Sequence, residues 1–208
     1  MRQPFTTFCI AALSAALPVV LSAAPALAAG SVYTKVDFEA DCKQVSEDEV
    51  GGSWTCKGYG DYPVHFAESD LRQSAFYGPV GDWYEKGASE TFGAFNYAGP
   101  TIEWRLEDGR PFATIRRWFV SGAPDADGNP GPETQVLVVS RVAQPADGEG
   151  CVVAYVEATA NPDANDLARR IADEQARDFR CRASEPAWAG TRRATDVQES
   201  RHFEEMAQ

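Results

Sequence analysis

The sequence predicts an α+β fold: a mainly antiparallel, twisted sheet of about six to eight strands, with one C-terminal helix packed on it and two disulfides. Three observations predict this fold. Short apolar or alternating segments fill most of the chain, and Gly, Pro and Asp separate them. A helical repeat of apolar residues follows within 161–179. Four cysteines lie beyond the N-terminal segment, an even number that suits disulfide pairing.

Residues 1–28 have the layout of a secretory signal peptide. Arg2 gives a positively charged start, an uncharged run covers 8–21, and the A-x-A pattern stands at 26–28. A membrane anchor is the alternative, but prolines interrupt the apolar run. We therefore expect cleavage before Ala29 and a periplasmic or secreted bacterial protein, with no membrane insertion after processing.

Residues 29–181 are long enough to form one α+β domain with a core of its own. Residues 182–208 are polar apart from Trp188, and we expect a loose tail there, with a capping box at Thr195 that could start a short helix.

The formal net charge is −12. Nucleic acid and anionic lipid are therefore excluded as partners, because both require clustered Lys and Arg. A basic protein or a cell-wall glycan remains compatible.

The first half of this domain predicts a series of short strands. Residues 53–59 and 62–67 flank Gly60-Asp61, a two-residue turn that predicts a hairpin. A weakly alternating strand precedes them at 32–38. Residues 71–77 suit either a strand or a helical turn, and 91–97 are ambiguous.

Residues 101–120 predict the clearest hairpin. Asp108-Gly109 is a strong signal for a type I′ turn, because that turn needs a positive φ at both positions. With this turn, Trp104 lies opposite Ala113 in the predicted register.

The same register places Ile102 opposite Ile115, so that both apolar pairs share one face, and it leaves Glu103 diagonal to Arg116 on the other. In the second strand these apolar pairs use odd-numbered positions up to Ile115, and the apolar pattern continues at even-numbered positions from Trp118 onward. A β-bulge at residues 116–117 would return Trp118 to the buried face.

A second hairpin is predicted from 135–142 and 151–158, whose near-continuous apolar runs suggest strands covered on both faces. Asn161-Pro162 then predicts the start of a helix. Its apolar stripe is formed by Leu167, Ile171, Gln175 and Phe179, flanked by alanines.

Four cysteines allow three pairings. We favour Cys42–Cys56 and Cys151–Cys181, because each pair is close in sequence and closes one local unit. A zinc site is the alternative, but the chain has no C-x-x-C motif. We expect no metal and no cofactor.

The segment 54–84 is rich in aromatic residues near turns, which can stack on sugars or anchor a protein partner. We predict Tyr59, Tyr62, Trp83 and Tyr84 as ligand-binding residues. The alternative is that these side chains fill the core of the sheet.

No catalytic residues are predicted, because the chain lacks nucleophile-elbow, H-E-x-x-H and phosphate-loop motifs. His65 is the one histidine in the strand-rich region, and a general base there would need a partner. A hydrolase of the envelope is thus an alternative. Residues 125–129 begin like a calcium loop but continue as an ordinary hairpin loop.

Three runs, 53–72, 102–118 and 151–181, resemble a group of small exported bacterial proteins of unknown function. The segments WTCKG at 54–58 and WYEKGA at 83–88 are similar to the C-x-G and W-x-K-G segments of membrane-bound lysozyme inhibitors of the c-type class. The resemblance to the exported proteins implies a bacterial envelope protein, most simply a periplasmic one, and supplies no catalytic residues to carry over. The sequence as a whole predicts a non-enzymatic periplasmic binding or envelope-associated protein, with a lysozyme-inhibitor-like protein as an alternative.

Overall fold

The computed structural model describes residues 29–129 and 131–203, and the predicted signal peptide lies outside the described residues. The strands are β1 Gly30–Lys35, β2 Cys42–Glu47, β3 Gly51–Tyr59, β4 Tyr62–Ser69, β5 Arg72–Tyr77, β6 Ser89–Phe92, β7 Asn96–Glu107, β8 Arg110–Gly122, β9 Gly131–Arg141, β10 Cys151–Glu157, β11 Ala187–Ala189 and β12 Glu199–His202. The helices are α1 Phe38–Asp41, α2 Asp82–Glu85 and α3 Ala164–Gln175.

Ten strands form one sheet in the order β11-β10-β9-β8-β7-β5-β4-β3-β2, with β1 added beside β7. The remaining strands, β6 and β12, form a two-stranded ribbon, which we call the β6–β12 ribbon. The predicted sheet with one helix packed on it is confirmed, but in the described residues the main sheet has ten strands instead of the expected six to eight, and it is mixed and not purely antiparallel. β10 and β11 pair in parallel because α3 carries the chain back between them, and β5 meets β7 in parallel through one residue pair.

The hairpin predicted at Asp108-Gly109 is present, and both residues have positive φ, 50° and 77°. Next to the turn, Leu106 pairs with Pro111 as predicted. Phe112 is then an extra residue in β8, so that beyond it the register moves by one position.

This bulge corrects the predicted pairing of β7 with β8. Trp104 lies opposite Thr114, and Arg105 lies opposite Ala113. Ile102 and Trp104 therefore face one core, while Ala113 and Ile115 face α3 on the other side of the sheet.

The exposed Glu103–Arg116 pair is wrong for the same reason. The irregularity predicted at residues 116–117 of β8 is instead found opposite Arg117, at residues 99–101 of β7. With the shifted register, Arg116 is buried on the face of Trp104 and donates from Nε to the carbonyl of Gly99. Glu103 lies on the opposite face and accepts a hydrogen bond from Arg169 of α3 at 2.7 Å.

The hairpin of β9 and β10 is confirmed, and β10 together with residues 136–140 of β9 is covered on both faces. α3 covers one face, and its buried positions are mainly alanines: Ala164, Ala168, Ile171 and Ala172. These small side chains let the helix approach the sheet closely, while the longer predicted stripe residue Leu167 stays half-buried.

Both predicted disulfides are present. Cys42 and Cys56 are direct partners across β2 and β3, and Cys151–Cys181 joins the start of β10 to the segment after α3. Each bridge therefore closes one local unit of the fold.

The chain after Cys181 differs from the loose tail and short helix expected there, because it forms β11 and β12. Trp188 stacks on Tyr155 with ring centroids 5.2 Å apart, and Val197 is buried. These partners lie far away in sequence, so the polar local composition could not reveal them.

Candidate ligand-binding groove

A groove crosses the outer face of β2 to β5. Its floor is a row of small residues that lie opposite one another on neighbouring strands: Ser46, Ser53, Ala67 and Ser74. The hydroxyl groups of Ser46 and Ser53 are hydrogen-bonded at 2.7 Å. Successive side chains of a strand point to opposite faces, so the sequence neighbours of these residues, such as Phe66, fill the core. The floor of the groove therefore carries only small side chains.

One wall of the groove is the segment from α2 to β6. It contributes Tyr84, Glu85, Gly87, Ala88, Ser89 and Thr91. The hydroxyl of Thr91 donates to the carbonyl of Gln73 at 2.6 Å, which holds β6 against β5. At the other end of the wall, the indole Nε1 of Trp83 donates to the carbonyl of Gly148 at 2.8 Å and fixes α2.

The groove encloses about 710 Å³. Pockets for small ligands typically have roughly 300 to 1,000 Å³. Because β2 is the last strand on its side of the sheet, the groove opens sideways at the edge. An elongated ligand can therefore enter without displacing any element.

The charges in the groove are mostly negative. Glu68 accepts a hydrogen bond from Gln73 at 2.8 Å, and Asp70 forms an ion pair with Arg72 at 2.6 Å. Glu85 adds a third carboxylate against the single guanidinium of Arg72. An anionic ligand would be repelled here, so the groove suits a neutral or cationic one.

Tyr84 places an aromatic ring at one end of the groove. Its ring centroid lies 5.1 Å from that of His65 and 5.5 Å from that of Phe76. Burial raises the pKa of Tyr84 to about 12, so its hydroxyl stays protonated at neutral pH and can donate a hydrogen bond.

The structure separates the four predicted site residues into two pairs, Tyr59 with Tyr62 and Trp83 with Tyr84, and only the second pair lies at the groove. Tyr84 lines the groove, and Trp83 packs next to it against Phe76. Tyr59 and Tyr62 lie against the core on the other face of the sheet, where the hydroxyl of Tyr62 donates to Gln144 Oε1 at 3.2 Å.

His65 is half-buried beside Tyr84, and its Nε2 lies 3.1 Å from the carbonyl oxygen of Gly78. Burial lowers the pKa of His65, and the hydrogen bond to Gly78 opposes this effect only in part. The imidazole is therefore neutral at neutral pH and is held by the backbone.

The loop at residues 125–129 is organised around Asp125. Its carboxylate accepts hydrogen bonds from the backbone N–H of Asp127 and from both the backbone and the side chain of Asn129. These bonds from Asn129 lower the pKa of Asp125. In the described ranges, no group of three or more His, Cys, Asp or Glu side chains is placed to hold a metal ion.

Two hairpin tips meet beside the groove and form what we call the hairpin-tip surface, which comprises Asp48, Glu49, Val50, Asp70 and Leu71. The backbone N–H of Asp70 donates to the carbonyl of Val50 at 3.0 Å. Val50 and Leu71 are 61% and 59% exposed, respectively. The surface thus combines apolar side chains with three carboxylates.

No protein-family model, no curated protein and no solved structure matches this chain. Within the part of the chain that the structure describes, no helix is long and apolar enough to span a membrane.

The floor of the groove is the part of the site that sequence reasoning missed. Ser46, Ser53 and Ser74 are isolated serines in three different strands, and they become neighbours only through the registers of β2 to β5. No local motif marks them. The register of the β4–β5 hairpin, with residues 69 and 72 as its closing pair, was the one signal that could have placed Ala67 beside Ser74.

Proposed function

We propose that this chain is a non-enzymatic binding protein of the bacterial periplasm or envelope, and that its groove holds a neutral, hydroxyl-rich ligand such as a glycan of the cell wall. The observation that carries the proposal is the row of serines in the groove floor next to Tyr84, in which Ser46 is exposed, Ser53 is half-buried and Ser74 lies buried at the inner end. Hydroxyl groups both donate and accept hydrogen bonds, as sugar hydroxyls do, and an aromatic ring offers an apolar face to a sugar ring.

The location is proposed on separate grounds. The two disulfides Cys42–Cys56 and Cys151–Cys181 suit a protein that folds in an oxidising compartment. The layout of residues 1–28 and the resemblance to small exported bacterial proteins support the same compartment.

Filling the groove tests the proposal. We expect Ser53→Leu to weaken binding of soluble peptidoglycan fragments, or of N-acetylglucosamine oligomers, by tenfold or more, because the leucine rises into the groove above Ala67. Isothermal titration calorimetry with the mature protein at pH 6 measures the affinity. Thr55→Leu is the matched control, since it lies two residues along the same face of β3 but outside the groove.

Unchanged affinity in Ser53→Leu, or a wild-type protein that binds none of these glycans, would contradict the groove as a glycan site. Retained folding of both variants is checked by circular dichroism. Loss of binding in Thr55→Leu as well would point to a general disturbance of β3.

A second candidate function rests on the hairpin-tip surface. Its exposed Val50 and Leu71, surrounded by carboxylates, suit a basic protein partner, as the resemblance to lysozyme inhibitors implies. A c-type lysozyme is therefore included as a separate probe in the same titrations. Binding of lysozyme that survives Ser53→Leu and is lost in Leu71→Asp would favour this second function.

A further inference from the structure

The β6–β12 ribbon connects the wall of the groove with the interior. Along β6, Ser89 and Thr91 line the groove, while Glu90 and Phe92 are buried on the opposite side. Any movement of this ribbon therefore moves the groove wall. The contacts that hold the ribbon in place therefore also fix the position of the groove wall.

Glu90 ties the ribbon to the main sheet. Its carboxylate is fully buried, and Oε1 accepts a hydrogen bond from Arg201 Nε of β12 at 2.7 Å. Oε2 accepts from the backbone N–H of Val152 in β10. One carboxylate thus joins both strands of the ribbon to the sheet.

The surroundings of Glu90 are polar but incompletely paired. A small cavity of about 10 Å³ lies between Glu90, Trp118 and Tyr155, which is close to the room that one water molecule needs. Trp118 Nε1, the Tyr155 hydroxyl and Arg201 Nη2 are buried and have no hydrogen-bond partner among the described residues.

The charged and titratable groups around this carboxylate come from several elements. They are Arg201 of β12, Glu185 of the segment before β11, Tyr155 of β10, Tyr77 of β5 and Glu199 of β12. Arg201 also donates to Glu185 at 2.8 Å, so Glu90 shares its cation with a second, exposed carboxylate.

The geometry points to a pH-sensitive latch: Glu90 and Arg201 hold the β6–β12 ribbon closed at mildly acidic pH and release it as the pH rises toward neutrality. The movement of the ribbon is inferred from the contacts of Glu90 and Arg201 and does not involve a ligand. Only the effect of this movement on ligand binding rests on the proposed function.

The direction follows from proton linkage. Burial raises the pKa of Glu90 to about 7, although Arg201 and the N–H of Val152 oppose the shift. In an open ribbon the solvated carboxyl would have a pKa near its ordinary value of 4.5. Opening therefore releases a proton between pH 4.5 and 7, and the open population rises by roughly 300-fold in total from well below pH 4.5 to well above pH 7.

Amide hydrogen exchange of the ligand-free mature protein tests the latch. After correction for intrinsic exchange, we expect the opening constants of β6 and β12 amides to rise by on the order of 50-fold between pH 5 and pH 8, and to level off above pH 7. Amides of β9 serve as the internal control. Glu90→Gln, which keeps the side-chain shape without the charge, should abolish this rise.

Arg201→Gln provides a second variant, because removal of the cation should move the transition to higher pH without abolishing it. If Glu90→Gln does not fold, a carboxyl ¹³C titration of Glu90 in the wild type must give the same midpoint as the exchange of β12. A flat wild-type profile, or a rise that persists in Glu90→Gln and so belongs to another group, would overturn the latch. Neither result depends on any ligand, so the latch fails or stands independently of the glycan titrations at pH 6.

Discussion

At Leu71 the backbone takes a conformation that leucine seldom adopts. Asp70 and Leu71 form the two-residue turn between β4 and β5 with φ values of 48° and 60°. A left-handed conformation costs a residue with a Cβ atom roughly 1 to 2 kcal/mol. The exposed side chain of Leu71 recovers little of this cost in the folded protein, so a glycine there is the residue that the turn geometry favours.

We expect Leu71→Gly to raise the free energy of unfolding by about 0.5 to 1 kcal/mol, because relief at this turn exceeds the entropy that glycine adds to the unfolded chain. Urea unfolding measures the change. Leu71→Ala keeps the Cβ atom and should give no such gain. An equal gain in Leu71→Ala would show that exposure of the leucine, and not backbone strain, is the cause.

Among the elements, α3 and the strands under it were the most predictable. The apolar runs of β9 and β10 and the repeat of alanines in α3 are local signals, and the two cysteine pairs follow from spacing. The β7–β8 turn was equally clear at Asp108-Gly109. The register beyond it was not, because no local motif marks the extra residue Phe112, which together with Ala113 packs in the cluster that α3 covers.

The two disulfides should contribute differently to stability. Replacing Cys151 and Cys181 together by alanine should cost about 3.5 kcal/mol, and replacing Cys42 and Cys56 about 3 kcal/mol, since the sequence separations are 30 and 14 residues. Denaturant unfolding of the two double variants measures both costs.

The bridge after α3 should also have a local effect. Without Cys151–Cys181, amides of α3 should exchange faster while those of β7 and β8 stay protected, because the bridge fixes the segment that follows the helix to the start of β10. The Cys42–Cys56 variant is the control for global destabilisation. Equal loss of protection in α3 for both variants would contradict a local role.

At the scale of the whole molecule, two layers meet the sheet from opposite sides. α3 covers one face and is joined to β7 by ion pairs, in which Arg105 contacts Asp173 at 2.7 Å and Arg169 contacts Glu103. The β6–β12 ribbon packs through Phe92 on the other face, against Trp118 and Tyr155, while Ser89 and Thr91 on its opposite side form a wall of the groove on the outer face of β2 to β5. The candidate site thus arises from the long-range assembly of β2 to β6, which explains why the sequence identified Tyr84 but not the serine floor.

The pH dependence of the free energy of unfolding has contributions of opposite sign, because some carboxyl groups have a lowered pKa in the folded protein and Glu90 has a raised one. For Glu103, burial raises the pKa, but the hydrogen bonds from Arg169 and Ser31 outweigh burial and lower it. For Glu157, the backbone N–H groups of Ala194 and Arg193 likewise outweigh burial. Stability from these two groups is present above pH 4.5 and is lost as the pH falls. Glu90 has the opposite sign, because its raised pKa makes the fold most stable below pH 4.5 and less stable as the pH rises to 7.

We therefore expect the free energy of unfolding to be greatest near about pH 5, to decline by roughly 2 kcal/mol between pH 5 and pH 7, and to level off above pH 7. Urea unfolding from pH 3 to pH 8 gives the profile. Glu90→Gln should flatten the decline above pH 5, and Glu103→Gln should reduce the loss of stability at acidic pH.

The net charge of −12 also destabilises the fold at neutral pH, but 1 M salt screens that repulsion and leaves the buried carboxyl of Glu90 largely unaffected. A decline above pH 5 that disappears in 1 M salt would assign it to surface repulsion and not to Glu90.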